Sequence, residues 1–307
     1  MSENEKLKKR LAENAKDRIF SFVMDEGNFR GAVIHSTRLV KDLKIKHGLG
    51  IMETLILGHA CTGTALMSTN LKGKSRLKFH IECSGPVKGL VCEGNPYGDV
   101  KGYLFQNPIP IEKPPENLNT SPYFNAGFLT VTYHSDETNK PYSGQVMLEY
   151  GEIAQEIANY YFTSEQIPSA CNLSVSFDQN GEVAGAGGIL IQKMPGAEEV
   201  TIEKTEEAFL SLPSLGEEFA KGYSPEDIIN GYFKEFNPKI IDNKRTAFTC
   251  TCEKDRILAY IKGLGKETLN DIIEQETFPL EVTCHYCSRK FYFEKDVIEK
   301  AYKESKH

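Results

Sequence analysis

Apolar residues occupy alternate positions in several short stretches of the chain, which is the spacing of strands with one buried face. Segment 76–82 is the clearest case, because Leu77, Phe79 and Ile81 are separated by charged or polar side chains. A Gly-Pro pair soon after it indicates a turn into the next run. The same reasoning predicts strands at 87–92, 128–134, 145–150, 173–177 and 183–192.

Two other segments show helical spacing. Ile51, Leu55 and Thr62 share one face of segment 50–69, and the flanking faces are apolar or small, so we expect a largely buried helix. Segment 152–162 follows the same period. Strands and helices mix without a regular strand–helix–strand alternation, which favours an α+β fold over a doubly wound sheet.

The 307-residue chain has a formal net charge of −7, which is unfavourable for non-specific nucleic-acid binding. Its N-terminal residues are charged and lack the apolar stretch of a secretory signal. No stretch approaches the roughly 18 consecutive apolar residues of a membrane-spanning helix. The sequence therefore predicts a cytoplasmic protein without nucleic-acid or membrane partners.

The composition changes beyond residue 196. Segment 197–246 contains 11 acidic and 6 basic residues, yet it is also rich in aromatic and aliphatic side chains. Ser224, followed by Pro225 and two acidic residues, is a favourable helix start. We therefore predict an α+β core domain at 1–196, an amphipathic and marginally stable helical linker at 197–246, and a small C-terminal module at 247–307.

Eight cysteines need an explanation in a protein of the reducing cytosol. Four of them are scattered among apolar or small neighbours, and we interpret these as buried structural thiols: Cys61, Cys83, Cys92 and Cys171. The other four form two close pairs near the C-terminus: Cys250 with Cys252 and, after 31 residues, Cys284 with Cys287.

Two close cysteine pairs are typical of a tetrahedral zinc site. The segment that contains them is too short for a secure apolar core, and zinc would contribute about 10–16 kcal/mol to its folding. Apolar spacing predicts two short helices between the pairs, a hairpin whose turn is CHYC, and a final helix. We interpret His285 in that turn as a surface residue, because four thiolates already complete the ligand set.

The spacing alone leaves a static structural zinc site open. A thioredoxin-like CxxC would need a following helix, whereas Cys287 leads into a predicted strand, and a haem-binding CxxCH would need histidine at Ser288. A disulfide between Cys250 and Cys252 would close a small, strained ring, and strained disulfides are the labile, regulatory kind. If Cys284 paired likewise with Cys287, oxidation would remove all four ligands and unfold the module.

Longer motifs resemble the redox-regulated 33-kilodalton heat-shock chaperone family of the bacterial cytosol. FTCTC, then 31 residues, then CHYC followed by FYF is similar to the zinc module of that family. The similarity extends over essentially the whole chain through FRG at 29–31, SGPVKGL at 84–90, GEIAQEIANYYFTSEQIPSA at 151–170 and GAGGILIQKMPGA at 185–197. Two departures, EKDR after Cys252 and a cysteine at position 171, leave the ligand positions intact.

The resemblance implies an ATP-independent holdase rather than an enzyme. In the reduced, inactive state, one Zn²⁺ per chain would be held by Cys250, Cys252, Cys284 and Cys287. Oxidation would form the Cys250–Cys252 and Cys284–Cys287 disulfides, release the metal and destabilise the linker. The partners implied are unfolding client proteins, a second copy in an oxidised homodimer, and thioredoxin or glutaredoxin systems for reduction.

Apolar side chains of the linker are the expected client-binding surface, and the surrounding acidic residues would keep the complex soluble. The residues assigned to this surface are Phe209, Leu215, Phe219, Ile229, Tyr232, Phe233 and Phe236. We expect the same surface to contact the N-terminal domain in the inactive protein.

Other interpretations explain less of the chain. The C-terminal module could be a zinc ribbon that binds protein or RNA through a purely structural metal site, but its 10 basic and 11 acidic side chains make a poor nucleic-acid surface. A thiol oxidoreductase would have to turn over disulfides catalytically. Cys61 with His59 could form a catalytic pair and GAGG at 185–188 a phosphate loop, but these lie in a predicted buried helix and a predicted strand.

Overall fold

The computed structural model describes residues 17–111, 117–138, 140–275 and 277–305. The chain divides between Thr249 and Cys250 into two units, here called the N-terminal unit and the C-terminal unit. Segment 197–246, which we continue to call the linker, falls within the N-terminal unit. The three-part division into core, linker and module stays a prediction.

Strands and α-helices of the N-terminal unit alternate irregularly along the chain. The strands are β1 (Arg18–Met24), β2 (Phe29–His35), β3 (Arg76–Cys83), β4 (Gly89–Gly94), β5 (Asp99–Leu104), β6 (Gly127–His134), β7 (Tyr142–Met147), β8 (Ser169–Phe177), β9 (Val183–Lys193), β10 (Lys239–Arg245) and β11 (Ala247–Phe248). The α-helices are α1 (Thr37–His47), α2 (Ile51–Met67), α3 (Ile153–Tyr160), α4 (Glu199–Leu210), α5 (Leu215–Lys221) and α6 (Pro225–Tyr232).

These strands form two sheets. Sheet A has the order β10-β1-β2-β9-β8, and sheet B has the order β11-β5-β4-β3-β6-β7. Neighbouring strands are antiparallel, except that the short β11 runs parallel to β5. The linker thus ends in a strand, β10, rather than in a helix. This strand pairs with one edge of β1, whose backbone groups on that side would otherwise lack strand partners.

Helix α2 runs through the main core of the N-terminal unit. Its residues from Met52 to Met67 are buried, with the exception of His59. A Cβ atom at Gly63 would overlap the Ile157 side chain of α3, so this glycine permits the two helices to approach closely. The largely buried helix predicted at 50–69 is confirmed.

Sheet A is covered on both faces. Ala32 and Ile34 of β2 enter the main core, whereas Val33 joins a second core together with Phe20 and Phe22 of β1. Because apolar residues are needed on both faces, the alternation of apolar and polar positions is lost. For this reason the hydrophobic pattern did not predict β1 and β2.

The second core is completed by the linker. Phe219 of α5, Ile229 of α6 and Phe233 pack into it, and the ring centroids of Phe233 and Phe22 are 6.2 Å apart. Helix α6 begins with a capping box in which Ser224 and Asp227 exchange hydrogen bonds, so the predicted helix start is confirmed.

The glycines at 185–188 bring the linker close to sheet A. A Cβ atom on Gly185 would overlap the carbonyl oxygen of Gly216, and one on Gly187 would overlap the ring of Phe219. GAGG lies within β9, as the sequence predicted, and it accommodates the packing of α5 rather than forming a phosphate loop.

The C-terminal unit has the predicted order of two short helices, a hairpin and a final helix. These elements are α7 (Lys254–Lys262), α8 (Lys266–Glu274), β12 (Leu280–Thr283), β13 (Lys290–Phe293) and α9 (Lys295–Glu304). Leu269, Phe293 and Ile298 are among its most deeply buried apolar residues, and the thiols of Cys252 and Cys284 belong to the same small core.

Two predicted strands are displaced along the chain. The strand expected at 87–92 is observed as β4, which begins at Gly89 because the preceding turn extends through Lys88, whose φ angle is 61°. The strand expected at 145–150 is observed as β7 because its pairing with β6 begins earlier, where Tyr142 stands opposite Tyr133. The predictions at 76–82, 128–134, 152–162, 173–177 and 183–192 are confirmed as β3, β6, α3, β8 and β9.

Candidate metal centre

The four C-terminal cysteines converge on one small volume. All four sulfur atoms lie within 4.8 Å of one another. The Sγ atoms of Cys250 and Cys284 are 3.8 Å apart, and those of Cys252 and Cys287 are 3.2 Å apart. Tetrahedral coordination with Zn–S bonds of about 2.3 Å would separate ligand sulfurs by about 3.8 Å. The cluster could therefore hold a metal ion.

The turn between β12 and β13 supplies one half of the cluster. The backbone N–H groups of Cys287 and Ser288 both donate to the carbonyl oxygen of Cys284, at 3.3 and 2.8 Å. Ser288 adopts a left-handed conformation with φ of 57°, and Cys284 N–H then donates to the Arg289 carbonyl at 2.9 Å. This tight turn brings Cys284 and Cys287 to the same cluster.

The chain before α7 supplies the other half. This segment carries Cys250 and Cys252, and the backbone N–H of Cys252 acts to lower the pKa of the Cys250 thiol against the effect of burial. Arg289 joins the two halves, because its Nη1 donates to the Cys252 carbonyl at 3.2 Å and its backbone N–H donates to the Cys287 sulfur. Arg289 was not predicted from the sequence, although its position two residues after the last cysteine of CHYC was an available signal.

The four thiols differ in their electrostatic surroundings. Burial raises the pKa of the Cys250 and Cys252 thiols. Burial acts in the same direction at Cys287, but hydrogen bonds from the Arg289 backbone and from the neighbouring thiols outweigh it and lower the pKa. Since thiolates are the form that binds metal, metal binding here would release protons.

The donor set also fits a particular kind of metal. Four sulfurs and no oxygen ligand favour zinc over magnesium or calcium. Cys252 and Cys284 are 8% and 9% exposed, while Cys250 and Cys287 are more accessible, so a small oxidant can reach the cluster. His285 is exposed. Among the described residues, the group of side chains that could hold a metal ion consists of the four thiols.

The predicted client-binding residues lie on the covered side of the linker. Phe209 and Tyr232 are partly exposed. The buried ones are Leu215, Phe219, Ile229, Phe233 and Phe236. In this state these side chains pack with the second core, and their role in client binding stays a prediction.

The remaining cysteines divide into two pairs by burial. Cys61 and Cys92 are fully buried, whereas Cys83 and Cys171 are partly exposed, so the interpretation as buried thiols is right for the first pair alone. His59 Nε2 is buried without a hydrogen-bond partner among the described residues. Burial lowers the pKa of His59 to about 4. The sulfur of Cys61 contacts that of Cys92, so the geometry does not support a Cys61–His59 catalytic pair.

Comparison with known proteins gives a consistent result. The family model described as Hsp33 protein matches residues 17–294. The chain is 32% identical over 288 residues to the 33 kDa chaperonin of Desulforamulus reducens, covering 94% of this chain and 97% of that protein. It is 36% identical over 272 residues to the 33 kDa chaperonin of Lachnoclostridium phytofermentans, covering 87% and 92%.

A solved structure matches as well. The crystal structure of the 33 kDa chaperonin (heat shock protein 33 homolog) from Thermotoga maritima aligns with a TM-score of 0.83 at 26% identity, covering 94% of this chain and 98% of that chain. The predicted α+β fold and the family resemblance are confirmed.

Fold and site together define a chaperone whose cysteine cluster is compatible with zinc binding and disulfide chemistry. The chain belongs to the Hsp33 family. Its relatives are named chaperonins rather than enzymes. Among the described residues, no helix has the length and apolar character needed to cross a membrane.

Proposed function

We propose that the protein is an ATP-independent holdase that is inactive when reduced and active when oxidised. The observation that carries the proposal is the convergence of four thiols within 4.8 Å in a unit with a small apolar core. Oxidation of those sulfurs would therefore change the stability of the C-terminal unit. The proposal also places the protein in the cytoplasm, where thiols are kept reduced.

In the reduced protein, Cys250, Cys252, Cys284 and Cys287 would hold one Zn²⁺ per chain. When bound, the metal would keep the four sulfurs as thiolates and cross-link the two halves of the unit, contributing about 10–16 kcal/mol to its folding. Arg289 would orient both halves through its hydrogen bonds to Cys252 and Cys287.

Oxidation would convert the four thiols into Cys250–Cys252 and Cys284–Cys287 disulfides. Each closure would remove two electrons from a pair of thiolates, and these electrons would reduce an oxidant such as hypochlorous acid to chloride and hydroxide while the metal ion is released. The distances do not select a pairing, because every sulfur lies within 4.8 Å of the others. The pairing rests on the family resemblance, and disulfides of any of the three possible pairings would remove every metal ligand.

Loss of the C-terminal unit would then destabilise the linker. The linker covers one face of sheet A, and its release would uncover apolar side chains on both partners, including Phe22 and Val33 of the sheet and Phe233 of the linker. Exposed apolar patches of this kind bind unfolding proteins. Acidic residues of the linker would keep such complexes soluble.

The proposal includes three kinds of partner. Unfolding client proteins would be bound by the uncovered surface and later passed to ATP-driven chaperones. A second copy of the chain would form a homodimer in the oxidised state. Thioredoxin or glutaredoxin systems would reduce the disulfides and restore the inactive form.

A parallel measurement tests the switch. A chromogenic chelator reports zinc release during hypochlorite treatment, while light scattering follows the aggregation of a thermally unfolding client. We expect release of one zinc per chain together with the gain of holdase activity, and reversal of both by dithiothreitol and zinc. Zinc that is retained, or lost without a gain of activity, would instead favour a zinc-ribbon binding module with a structural metal.

A further inference from the structure

A second pair of thiols lies in contact within the N-terminal unit, outside the C-terminal cluster. The Sγ atoms of Cys61 and Cys92 are 3.4 Å apart. Both residues are 0% exposed. The two sulfurs therefore meet in the main core, shielded from solvent.

Two different elements position these sulfurs. Cys61 is near the middle of α2, and Cys92 is on β4 of sheet B. Gly102 stands opposite Cys92 on β5, and a Cβ atom there would be 2.6 Å from the Cys92 sulfur and 2.8 Å from the Cys61 sulfur. Any side chain at position 102 would displace one of the sulfurs, so the glycine provides the space that both occupy.

We propose that Cys61 and Cys92 form an internal disulfide when the protein is exposed to a two-electron oxidant such as hypochlorous acid. A disulfide has an S–S length of about 2.05 Å. The observed separation of 3.4 Å needs to shorten by only about 1.4 Å, which side-chain rotation and a small shift of α2 can supply. The inference goes beyond the proposed zinc switch and does not require it.

The reaction has two balanced steps. Hypochlorous acid first converts one thiol into a sulfenyl chloride and releases water. The second sulfur then attacks the first, chloride leaves, and the proton of the second thiol is lost. The two thiols together give up two electrons, which reduce the chlorine to chloride.

This pair is expected to react more slowly than the C-terminal cluster. Burial, and to a smaller extent the contact with Cys92, raises the pKa of the Cys61 thiol, so it is protonated at neutral pH. An oxidant reaches the pair only when α2 moves away from sheet B, whereas Cys250 and Cys287 are already partly exposed. Because such openings become more frequent on heating, disulfide formation should accelerate steeply with temperature.

The disulfide would join α2 to sheet B across a sequence separation of 31 residues. Cross-links of this loop length stabilise proteins chiefly by restricting the unfolded chain. We expect the unfolding midpoint of the N-terminal unit to rise by about 5–10 °C after oxidation. The unit that presents the proposed client surface would thus become more resistant to the heat that unfolds its clients.

Peptide mapping tests the proposal on the full-length, zinc-loaded protein. Hypochlorite is added at room temperature and again a few degrees below the unfolding midpoint, free thiols are blocked with N-ethylmaleimide, and tryptic peptides are analysed without reduction. Cys61, Cys83, Cys92 and Cys171 fall on separate peptides, because trypsin cleaves after Lys72, Lys78, Lys88 and Lys101.

We expect Cys61–Cys92 peptides to exceed those joining either residue to Cys83 or Cys171 by at least about tenfold, because contact raises the effective concentration of the two thiols. Their yield should also rise at the higher temperature. Absence of the Cys61–Cys92 peptide under both conditions would overturn the proposal. So would a distribution that equals the one obtained by oxidising the protein in denaturant.

Two variants separate this disulfide from the zinc switch. Cys92→Ser should abolish the oxidative rise in the unfolding midpoint, and Cys83→Ser should preserve it. An equal rise in the unfolding midpoint of both variants would contradict the assignment of the disulfide to Cys61 and Cys92. If Cys92→Ser does not fold, the peptide map of the wild-type protein decides alone. Zinc release and holdase activity are recorded on the same samples, so failure of the proposed function is distinguishable from failure of this inference.

Discussion

The two units of the protein are stabilised by different means. The N-terminal unit has two apolar cores, one around α2 and one on the opposite face of sheet A. The C-terminal unit has a small core that includes Cys252 and Cys284, two members of the thiol cluster. Aliphatic side chains do not react with mild oxidants, whereas sulfur does. The comparison therefore indicates which unit can lose its fold on oxidation, whereas the other keeps its fold even if its buried thiols Cys61 and Cys92 are oxidised.

The linker has an intermediate position in this comparison. It packs on sheet A through side chains such as Phe219 and Phe233, so its contacts are apolar like those of the N-terminal unit. Its helices are short, and isolated helices of that length are marginal in water. We therefore expect the linker to be the part of the N-terminal unit that is lost first.

The largest effect is expected from Cys250→Ser. The change removes one of four thiolate ligands and with it a large part of the roughly 10–16 kcal/mol that zinc contributes to a small module. Zinc content measured after dialysis should fall, and limited proteolysis should cleave the C-terminal unit while the N-terminal unit persists. Cys83→Ser, which changes a thiol outside the cluster, is the matched control and should keep its zinc.

If the Cys250→Ser protein remains resistant to protease beyond residue 250, the apolar core of the C-terminal unit is sufficient without metal. The contrast between the two units would then be wrong. If the unit unfolds but client binding does not increase, the coupling between the C-terminal unit and the linker is wrong instead.

A smaller effect is expected from Phe233→Asp. Phe233 is 0% exposed against Phe22, and placing a carboxylate there should weaken linker packing by about 3–5 kcal/mol. Client aggregation should then be suppressed without oxidant, and an environment-sensitive apolar dye should bind. Leu210→Asp, at a linker residue that is 82% exposed, is the control and should leave the need for oxidant unchanged. Equal behaviour of the two variants would refute linker release as the activating step.

The convergence of the four C-terminal cysteines could be predicted from the sequence more fully than the two sheets. The four cysteines form two pairs that are close in sequence, so their spacing already implies a common site. The strands of sheet A depend on long-range packing: β2 sends Ile34 into one core and Val33 into another, which removes the alternation that predicts a half-buried strand. Strand β10 was missed because it depends on the edge of a strand more than 200 residues earlier.

The contact between Cys61 and Cys92 could not be predicted from the sequence for the same reason. Their separation in sequence gives no indication of proximity, and only the packing of α2 against β4 brings the sulfurs together. Arg289 was overlooked for a different reason: it lies close to CHYC in the sequence, but it contributes a backbone N–H and a hydrogen bond to a carbonyl rather than a ligand atom.

The smallest effect is expected from Gly185→Ala, which tests how closely the linker must lie on sheet A. The added methyl group would overlap the carbonyl oxygen of Gly216, so α5 must shift away from β9 at a cost of about 1–3 kcal/mol. The control is Gly231→Ala in α6, where a Cβ atom meets nothing within 4 Å and alanine favours the helix by up to about 1 kcal/mol.

The two substitutions add the same atom, one in β9 where it contacts α5 and one within the linker itself, yet they should change linker stability in opposite directions. Hydrogen exchange followed by mass spectrometry gives the free energy of local opening for the peptides that contain α5 and α6. Faster exchange in Gly185→Ala and slower exchange in Gly231→Ala would show that contact with sheet A, rather than helix propensity, limits linker stability. Unchanged exchange in Gly185→Ala, together with slower exchange in Gly231→Ala, would mean that the linker holds mainly through its own helices, and the apolar surface of sheet A would then be uncovered only by unfolding those helices.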